Sequence, residues 1–302
     1  MDYIPNYLRN ISSFENKINL LKKEEKECRM CGNFCKVNRD KELGLCRTSS
    51  DKVVVSESLI HVGEEYIISG YQGSGAIFFG NCNMRCVFCQ NSNISQLGEG
   101  EYYNCYELAE LMLRFQSKDC HNIELISPTH CVPTIVRALN IAANRGLKIP
   151  IIYNSGGFDS KYCLDILSGL IDIYVPDIKW SNNTFGMKYS LVRNYSDINQ
   201  KAIRKMYEQV GNLKLNDEGV AYNGLLIRHL VLPNNINNIK DIAAFIKKDI
   251  SQDVFISLLK NYKPFYNAPY YIELKREVTE DEYAQVKKIF NTMGLKNIIE
   301  EG

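Results

Sequence analysis

Short apolar runs that alternate with longer helical segments are the feature that most restricts the fold of this chain. The runs are rich in β-branched and aromatic residues and are mostly bounded by Gly, Pro or Asn, which is typical of strands buried on both faces. Alternation of such strands with helices predicts parallel strands joined by right-handed crossovers. The predicted strands lie at residues 76–80, 122–127, 149–154, 171–176, 224–233 and 253–258.

Helical periodicity fills most of the segments between these runs. Apolar residues recur there at three-to-four spacing, and Gly146 and Gly169 stand where two of the helices should end. Thr279 and Glu282 have the spacing of a capping box at the start of the last helix. The predicted helices lie at residues 14–27, 106–115, 133–146, 163–170, 184–210, 237–248 and 279–292.

The number of strand–helix units sets the architecture that we expect. Six units are fewer than the eight of a closed barrel. We therefore expect an α/β fold with a curved, partly open, six-stranded parallel sheet and a site at the carboxyl ends of its strands. A further strand or hairpin is predicted from Val53 through Ile68. The domains expected are an N-terminal cysteine-rich cap at residues 1–70 and the sheet domain at 71–302.

Composition excludes several classes of protein. The chain has 302 residues with 36 basic and 35 acidic side chains, so its net charge of +1 gives no pull toward nucleic acid or anionic lipid. It lacks a stretch of about 20 apolar residues, and residues 1–10 lack the apolar core of a secretory signal. We expect a cytoplasmic protein. Its 11 cysteines then favour metal ligation or catalysis over a disulfide framework.

Three cysteines follow the first predicted buried strand at the spacing C-x3-C-x2-C. They are Cys82, Cys86 and Cys89. A [4Fe–4S] cluster is normally held by four thiolates, so three would leave one iron open. An open coordination position separates a reactive metal site from a closed structural one. The alternative is a zinc site completed by a histidine, but no His lies nearby in the sequence and the neighbouring Asn residues are poor zinc ligands.

A second group of cysteines precedes the predicted sheet at the spacing C-x2-C-x3-C-x10-C. Four thiolates suit either tetrahedral zinc or an iron–sulfur cluster, and basic residues around them would favour the thiolate form. Zinc would make the element a structural cap, whereas a second [4Fe–4S] cluster would make it an electron relay or a substrate ligand. The spacing leaves both open. These residues are Cys28, Cys31, Cys35 and Cys46.

The string GSGAIFFGNCNMRCVFCQN at 73–91, with Phe88 before the last cysteine, resembles the signature of the radical S-adenosylmethionine (radical SAM) enzymes. It is similar to their pyruvate formate-lyase activating enzyme branch, and within it to an uncharacterised subgroup with an N-terminal four-cysteine element. The resemblance covers roughly residues 28–300. The other matching strings are SPTH (127–130), PIIYNSGGF (150–158), DIYVPDIKW (172–180), GLLIRHLVLP (224–233) and ISLLKNYKP (256–264).

The resemblance implies a partial (β/α)6 barrel of the radical SAM type and a specific chemistry. Cys82, Cys86 and Cys89 would hold a [4Fe–4S] cluster whose open iron chelates S-adenosylmethionine. Reductive cleavage would give a 5′-deoxyadenosyl radical, which abstracts a hydrogen atom from a substrate. An oxidoreductase-like enzyme of this kind takes its electron from a flavodoxin or a ferredoxin-type donor. We expect neither a membrane nor a nucleic acid as partner.

The resemblance also implies cofactor contacts at the strand ends. Thr129 and His130 occupy the place of a glycine-rich GGE-type turn in related enzymes, although the Glu is missing here. Alternatively, they cap the helix that begins near Pro133. Asn154 and Ser155 follow the third strand, where they would bond ribose hydroxyls or a carboxylate, or would form a plain turn.

The fourth and fifth strands contribute charged residues. Asp177 and Lys179 would contact the methionine or ribose portion of the cofactor, or would simply form a salt bridge at the strand end. Arg228 and His229 must point to opposite faces of their strand. The one that points inward should meet a carboxylate, and His229 is expected to be a hydrogen-bonded core residue.

The substrate is not readable from the sequence. The enzyme would make a glycyl radical on a protein, or would modify a small molecule or a peptide. Activating enzymes that resemble this chain have a histidine in a V-E-L-L-P-Y-H segment, and the corresponding ISLLKNYKP has none, which weakens the glycyl-radical version. The rival class is a non-catalytic iron–sulfur or zinc-binding module for RNA, supported only by basic and aromatic residues at 189–207.

Overall fold

The computed structural model describes residues 3–63 and 65–301. Strands and helices alternate through most of this part of the chain. The strands are β1 (Val53–His61), β2 (Ser74–Phe79), β3 (Glu101–Tyr103), β4 (Asn122–Ile126), β5 (Ile151–Ser155), β6 (Ile173–Pro176), β7 (Lys214–Leu215), β8 (Ala221–Leu230), β9 (Phe255–Leu259) and β10 (Ile298–Glu301). The α-helices are α1 (Asn6–Arg9), α2 (Phe14–Lys26), α3 (Tyr66–Ser69), α4 (Cys105–Gln116), α5 (Val132–Asn144), α6 (Lys161–Leu167), α7 (Asn183–Ser190), α8 (Tyr195–Val210), α9 (Ile239–Phe245) and α10 (Glu280–Thr292).

The strands form one twisted sheet in the order β10-β9-β8-β6-β5-β4-β2-β1-β3, with β7 paired to β8. Parallel pairing runs without a break from β2 to β10. The six predicted strands are therefore confirmed, as is the prediction of a partial barrel, because the two outer strands of this sheet do not pair with each other within the described residues. Strand β10, which adds a seventh parallel strand, is not predicted from the sequence.

Burial explains why the central strands read as continuous apolar runs. Helices cover one face of the sheet, and residues of α4 and α5 pack there in the largest core cluster. The other face curves around a smaller cluster that includes Ile152, Ile173 and Leu226 from three adjacent strands. Since both faces are buried, the strands carry apolar residues at most positions.

Some predicted elements have different bounds. Ile67 and Ile68 belong to α3, and β1 pairs antiparallel with β2 and β3 instead of forming its own hairpin. The predicted helix at 184–210 is two helices, because Leu191 and Asn194 adopt positive φ between them. The capping box of the last helix is confirmed, since Thr279 accepts a hydrogen bond from the Glu282 amide.

The structure bears on two features that the sequence analysis raised, membrane-spanning helices and the aromatic residues at 189–207. In the described part of the chain, no helix combines the length and the apolar character of a membrane span. Of the aromatic residues at 189–207, Tyr189 and Tyr195 are buried. The third aromatic residue of this segment, Tyr207, is half-buried.

Candidate metal and cofactor site

The three-cysteine loop begins where β2 ends, at the carboxyl edge of the parallel sheet. Met84, Val87 and Phe88 of the loop are buried in an apolar cluster. The Phe88 ring packs edge-to-face against the rings of Trp180 and Tyr262. The distances between ring centroids are 5.8 Å and 6.3 Å. This packing fixes the loop against the apolar cluster, and its three cysteines are half-buried.

Helix α7 holds the same loop through its last two residues. The Arg85 amide donates to the Ser190 carbonyl at 3.1 Å, and the Val87 amide donates to the Tyr189 carbonyl at 2.9 Å. The Ser190 hydroxyl lies 3.2 Å from Cys86 Sγ and accepts a hydrogen bond of 2.8 Å from Trp180 Nε1. The loop is thus bonded to the end of a helix about 100 residues further along the chain.

Each of the three sulfurs has a polar neighbour that can stabilise a thiolate. Ser190 Oγ serves Cys86, Ser95 Oγ lies 3.1 Å from Cys89 Sγ, and the Met84 amide donates to Cys82 Sγ at 3.4 Å. Burial raises the pKa of Cys82 to about 12 and that of Cys86 to about 11, although the Lys179 ammonium opposes the rise. Binding of a metal group would therefore release protons from these thiols.

Asp177 and Lys179 form the predicted salt bridge at the end of β6. Burial by itself would lower the pKa of Lys179, but the charges of Asp177 and the Cys86 thiolate outweigh it and raise that pKa well above its ordinary value. The Tyr195 hydroxyl accepts from the Lys179 amide at 3.1 Å and donates to the Gly156 carbonyl at 3.0 Å. The ion pair therefore lies close enough to Cys82 and Cys86 for its ammonium to interact with their thiolates.

Asn154 and its buried partner Glu124 lie side by side on β5 and β4. Asn154 Nδ2 donates to Glu124 Oε1 at 2.8 Å. Arg228 on β8 points inward, as predicted for one residue of its pair, and reaches Glu124 at 4.0 Å and Glu65 at 2.5 Å. Arg228 holds the pKa of Glu65 well below its ordinary value, although burial opposes the effect. Sequence reasoning missed both glutamates.

The buried carboxylate of Asp159 gathers the other polar residues of these strand ends. It accepts hydrogen bonds from Thr129 at 2.8 Å, Ser155 at 2.7 Å and Tyr153 at 2.7 Å. Burial raises the pKa of Asp159, and the three hydroxyls oppose that rise. The prediction that Thr129 caps helix α5 is therefore wrong, because its hydroxyl is committed to Asp159 and no described side chain caps that helix.

The two predicted histidines have different surroundings. His229 is the hydrogen-bonded core residue that was expected: its Nδ1 donates to the Ile178 carbonyl at 2.7 Å and its Nε2 accepts from Asn237 at 2.9 Å. His130 is also buried, and its Nε2 donates to the Gly80 carbonyl at 2.9 Å. It caps no helix and lies toward the N-terminal cysteines.

All four N-terminal cysteines line one small cavity. The segment that carries them is bonded to the loop between β5 and α6. The Gly32 amide donates to the Phe158 carbonyl, and the Ser160 amide donates to the Met30 carbonyl. The other residues around the cavity come from the same segment, except for His130, which lies in the turn after β4. The lining residues are Cys28, Met30, Cys31, Asn33, Cys35, Arg39, Leu45, Cys46 and His130.

The two groups of cysteines are adjacent. Asn33 lies against Cys31 Sγ and donates to the Asn83 carbonyl of the three-cysteine loop at 2.7 Å. Arg85 of that loop donates to the Leu45 carbonyl at 2.8 Å. Within residues 3–63 and 65–301, no three His, Cys, Asp or Glu side chains converge as closely as a single metal ion needs. The ligand sets of both groups remain predictions.

Solved structures with similar folds are radical SAM enzymes. A cysteine-to-serine mutant of spore photoproduct lyase matches with a TM-score of 0.53 and 10% identity, over 82% of this chain and 80% of that one. Streptococcus suis SuiB bound to its precursor peptide SuiA matches at 0.52 and 14%, over 74% and 47%. A radical SAM methyltransferase from Sphaerobacter thermophilus matches at 0.52 and 11%, over 76% and 66%. The chain therefore has the radical SAM fold.

Sequence comparison places the chain within a family. The uncharacterized protein MJ0674 of Methanocaldococcus jannaschii is 31% identical over an alignment of 276 residues that covers 88% of this chain and 75% of that protein. The chain belongs to the MJ0674 family. No protein-family model matches it.

Proposed function

We propose that this chain is a radical SAM enzyme of the pyruvate formate-lyase activating enzyme-like branch, with a [4Fe–4S] cluster on Cys82, Cys86 and Cys89. The observation that carries the proposal is a loop with three half-buried cysteines at the carboxyl edge of a radical SAM fold. When bound, the cluster and S-adenosylmethionine would supply reductive cleavage and a 5′-deoxyadenosyl radical that abstracts a hydrogen atom.

The residues around the loop fit a thiolate-bound cluster. Trp180 Nε1 donates to Ser190 Oγ, so the hydroxyl proton of Ser190 is left to point at Cys86 Sγ once that sulfur is a thiolate. Ser95 can donate to Cys89 in the same way. Hydrogen bonds to thiolate sulfurs stabilise negative charge and tune the potential of a cluster. Hydroxyl groups of the chain could thus stabilise the negative charge on two of the three proposed thiolate ligands.

The strand ends supply candidate contacts for the cofactor. Glu124 fixes the amide nitrogen of Asn154, which leaves the carbonyl oxygen of Asn154 as the atom that a ligand would meet. The Asp177–Lys179 pair presents both charges beside the cysteines, where a carboxylate and an ammonium of a bound amino acid could find partners. Ser155 and Thr129 are buried donors to Asp159, so we propose that they hold the strand ends rigid beneath the cofactor.

We propose two classes of substrate. In the first, the enzyme abstracts a hydrogen from a glycine of a partner protein; in the second, it acts on a small molecule or a peptide. Both need a flavodoxin or ferredoxin-type electron donor. Assay of the purified, reduced enzyme against proteins and short peptides from its own genome neighbourhood, with glycyl-radical EPR as readout, separates the classes. A stable glycyl-radical doublet supports the first class, and a modified peptide mass without it supports the second.

The proposal that the chain is an enzyme is tested by anaerobic reconstitution with iron and sulfide, followed by reduction and assay for methionine and 5′-deoxyadenosine. Cys86→Ala should abolish cluster binding at the loop and the cleavage of S-adenosylmethionine. Cys120→Ala is the matched control, because Cys120 is a buried cysteine outside both groups and should leave cleavage unchanged. A reduced, cluster-loaded wild-type sample that never cleaves S-adenosylmethionine would show that the chain is a non-catalytic binding module.

A further inference from the structure

The cavity lined by Cys28, Cys31, Cys35 and Cys46 is also lined by a histidine, a residue type that can ligate metals. His130 lies 84 residues beyond the last of these cysteines in the sequence, in the short turn Thr129–Cys131 after β4, yet it lines the same cavity. Only 2% of the residue is exposed. A nitrogen donor thus comes from the sheet to a site whose other donors belong to the N-terminal segment.

The hydrogen bonding of the ring defines what the second nitrogen can do. His130 Nε2 lies 2.9 Å from the Gly80 carbonyl, which can only accept, so the ring proton is on Nε2. Nδ1 then carries the lone pair, and it has no hydrogen-bond partner among the residues that the structure describes. Metal-binding histidines almost always donate their other N–H to a carbonyl or carboxylate in this way.

Arg39 supplies the second unsatisfied polar atom of the cavity. Its guanidinium is buried, with Nε donating to the Thr48 carbonyl at 3.2 Å and Nη2 to the carbonyls of Ser49 at 2.9 Å and His130 at 2.7 Å. Nη1 is left without a partner in the described structure. A buried cation beside several thiols is stabilised when those thiols become negatively charged thiolates.

We propose that this cavity is a second metal centre in which His130 Nδ1 is a ligand together with cysteine thiolates of the N-terminal segment. The bound metal is either zinc or the iron of an iron–sulfur cluster. Because no three such side chains of the described residues converge as closely as a single ion needs, binding of zinc would draw these ligands closer together. Arg39 Nη1 donates to a thiolate or sulfide sulfur of the centre. His130 is thereby assigned to this centre and not to the S-adenosylmethionine site. The proposal does not depend on radical chemistry at the three-cysteine loop.

The assignment links the two groups of cysteines. Once Nδ1 is bound to a metal, the ring can no longer rotate, and its Nε2–H holds the carbonyl of Gly80, two residues before Cys82. Filling of the N-terminal centre would therefore fix the start of the three-cysteine loop. Asn33, which contacts both Cys31 and the Asn83 carbonyl, would reinforce the link.

The test isolates the N-terminal centre in the full chain by replacing Cys82, Cys86 and Cys89 with Ala. This protein is reconstituted anaerobically with iron and sulfide, or loaded with cobalt(II) as a reporter for zinc. For iron, pulsed EPR of the reduced centre should show hyperfine coupling to a directly bound nitrogen. For cobalt, the visible ligand-field bands should be those of mixed sulfur and nitrogen coordination. Growth with ¹⁵N-labelled histidine should change the nitrogen coupling by the isotope ratio.

His130→Ala should remove the nitrogen signal and weaken metal retention by at least about tenfold. His121→Ala is the control, since His121 is outside the cavity and should leave both unchanged. A centre that binds iron or cobalt without nitrogen coupling, or with coupling that survives His130→Ala, overturns the assignment. Failure to bind either metal at the four cysteines also overturns it. The isotope-labelled protein decides the question if His130→Ala does not fold.

Discussion

Removal of the Ser190 hydroxyl group should disturb both the packing and the chemistry of the three-cysteine loop. Ser190 is fully buried, and it is the acceptor for Trp180 Nε1 at 2.8 Å. Ser190→Ala leaves that N–H buried without an acceptor, which costs about 1–3 kcal/mol. For a chain of this size, such a loss lowers the melting temperature by roughly 2–6 °C.

The assay is denaturant unfolding of the metal-free protein, followed by a double-mutant cycle with Trp180→Phe. If the orphaned N–H is the cause, Ser190→Ala should cost almost nothing in the Trp180→Phe background, where no N–H remains. Ser74→Ala is the matched control, since the buried Ser74 hydroxyl has no hydrogen-bond partner in the described residues. An equal cost of Ser190→Ala in both backgrounds refutes the reasoning.

The same substitution should also change the bound cluster. The Ser190 hydroxyl lies 3.2 Å from Cys86 Sγ, and a hydrogen bond to a thiolate stabilises the reduced, more negative state. Its loss should lower the reduction potential of the cluster, as measured by EPR-monitored titration. A potential equal to that of the wild type would mean that Ser190 does not donate to Cys86.

Two further predictions concern the sheet beneath the site. Gly157→Ala should lower the free energy of unfolding by about 1–3 kcal/mol more than Gly146→Ala, as measured by denaturant unfolding. Both glycines have positive φ, but only a Cβ at residue 157 would clash, since it would lie 2.5 Å from the Asp177 carbonyl oxygen. Equal losses for the two variants would contradict the role of the clash. The ion pair of Glu65 with Arg228 lowers the folded pKa of Glu65 from its ordinary 4.5, so its stabilisation is present above pH 4.5 and is lost as the pH falls toward the folded pKa. Glu65→Gln should remove this part of the acid dependence of unfolding, and an unchanged pH profile would show that the pair does not contribute.

The fold could be predicted largely from the sequence because its signals are local. A buried parallel strand needs apolar residues at successive positions, so the runs from residue 76 to residue 258 identify six strands directly. The three-cysteine loop is also local, since its cysteines lie within eight residues. Where the local signal was mixed, as at Ile67 and Leu191, the predicted element was wrong.

The chemistry around the loop was decided by tertiary structure. Ser190 reaches Cys86 across 104 residues of sequence, and Arg228 reaches Glu65 across 163. His130 is predicted to contact the cofactor, and the fold also brings it to the cavity lined by the four N-terminal cysteines. Periodicity records only which face of an element is buried. Which side chains meet there depends on the order of strands in the sheet, because that order brings residues distant in sequence to the same edge.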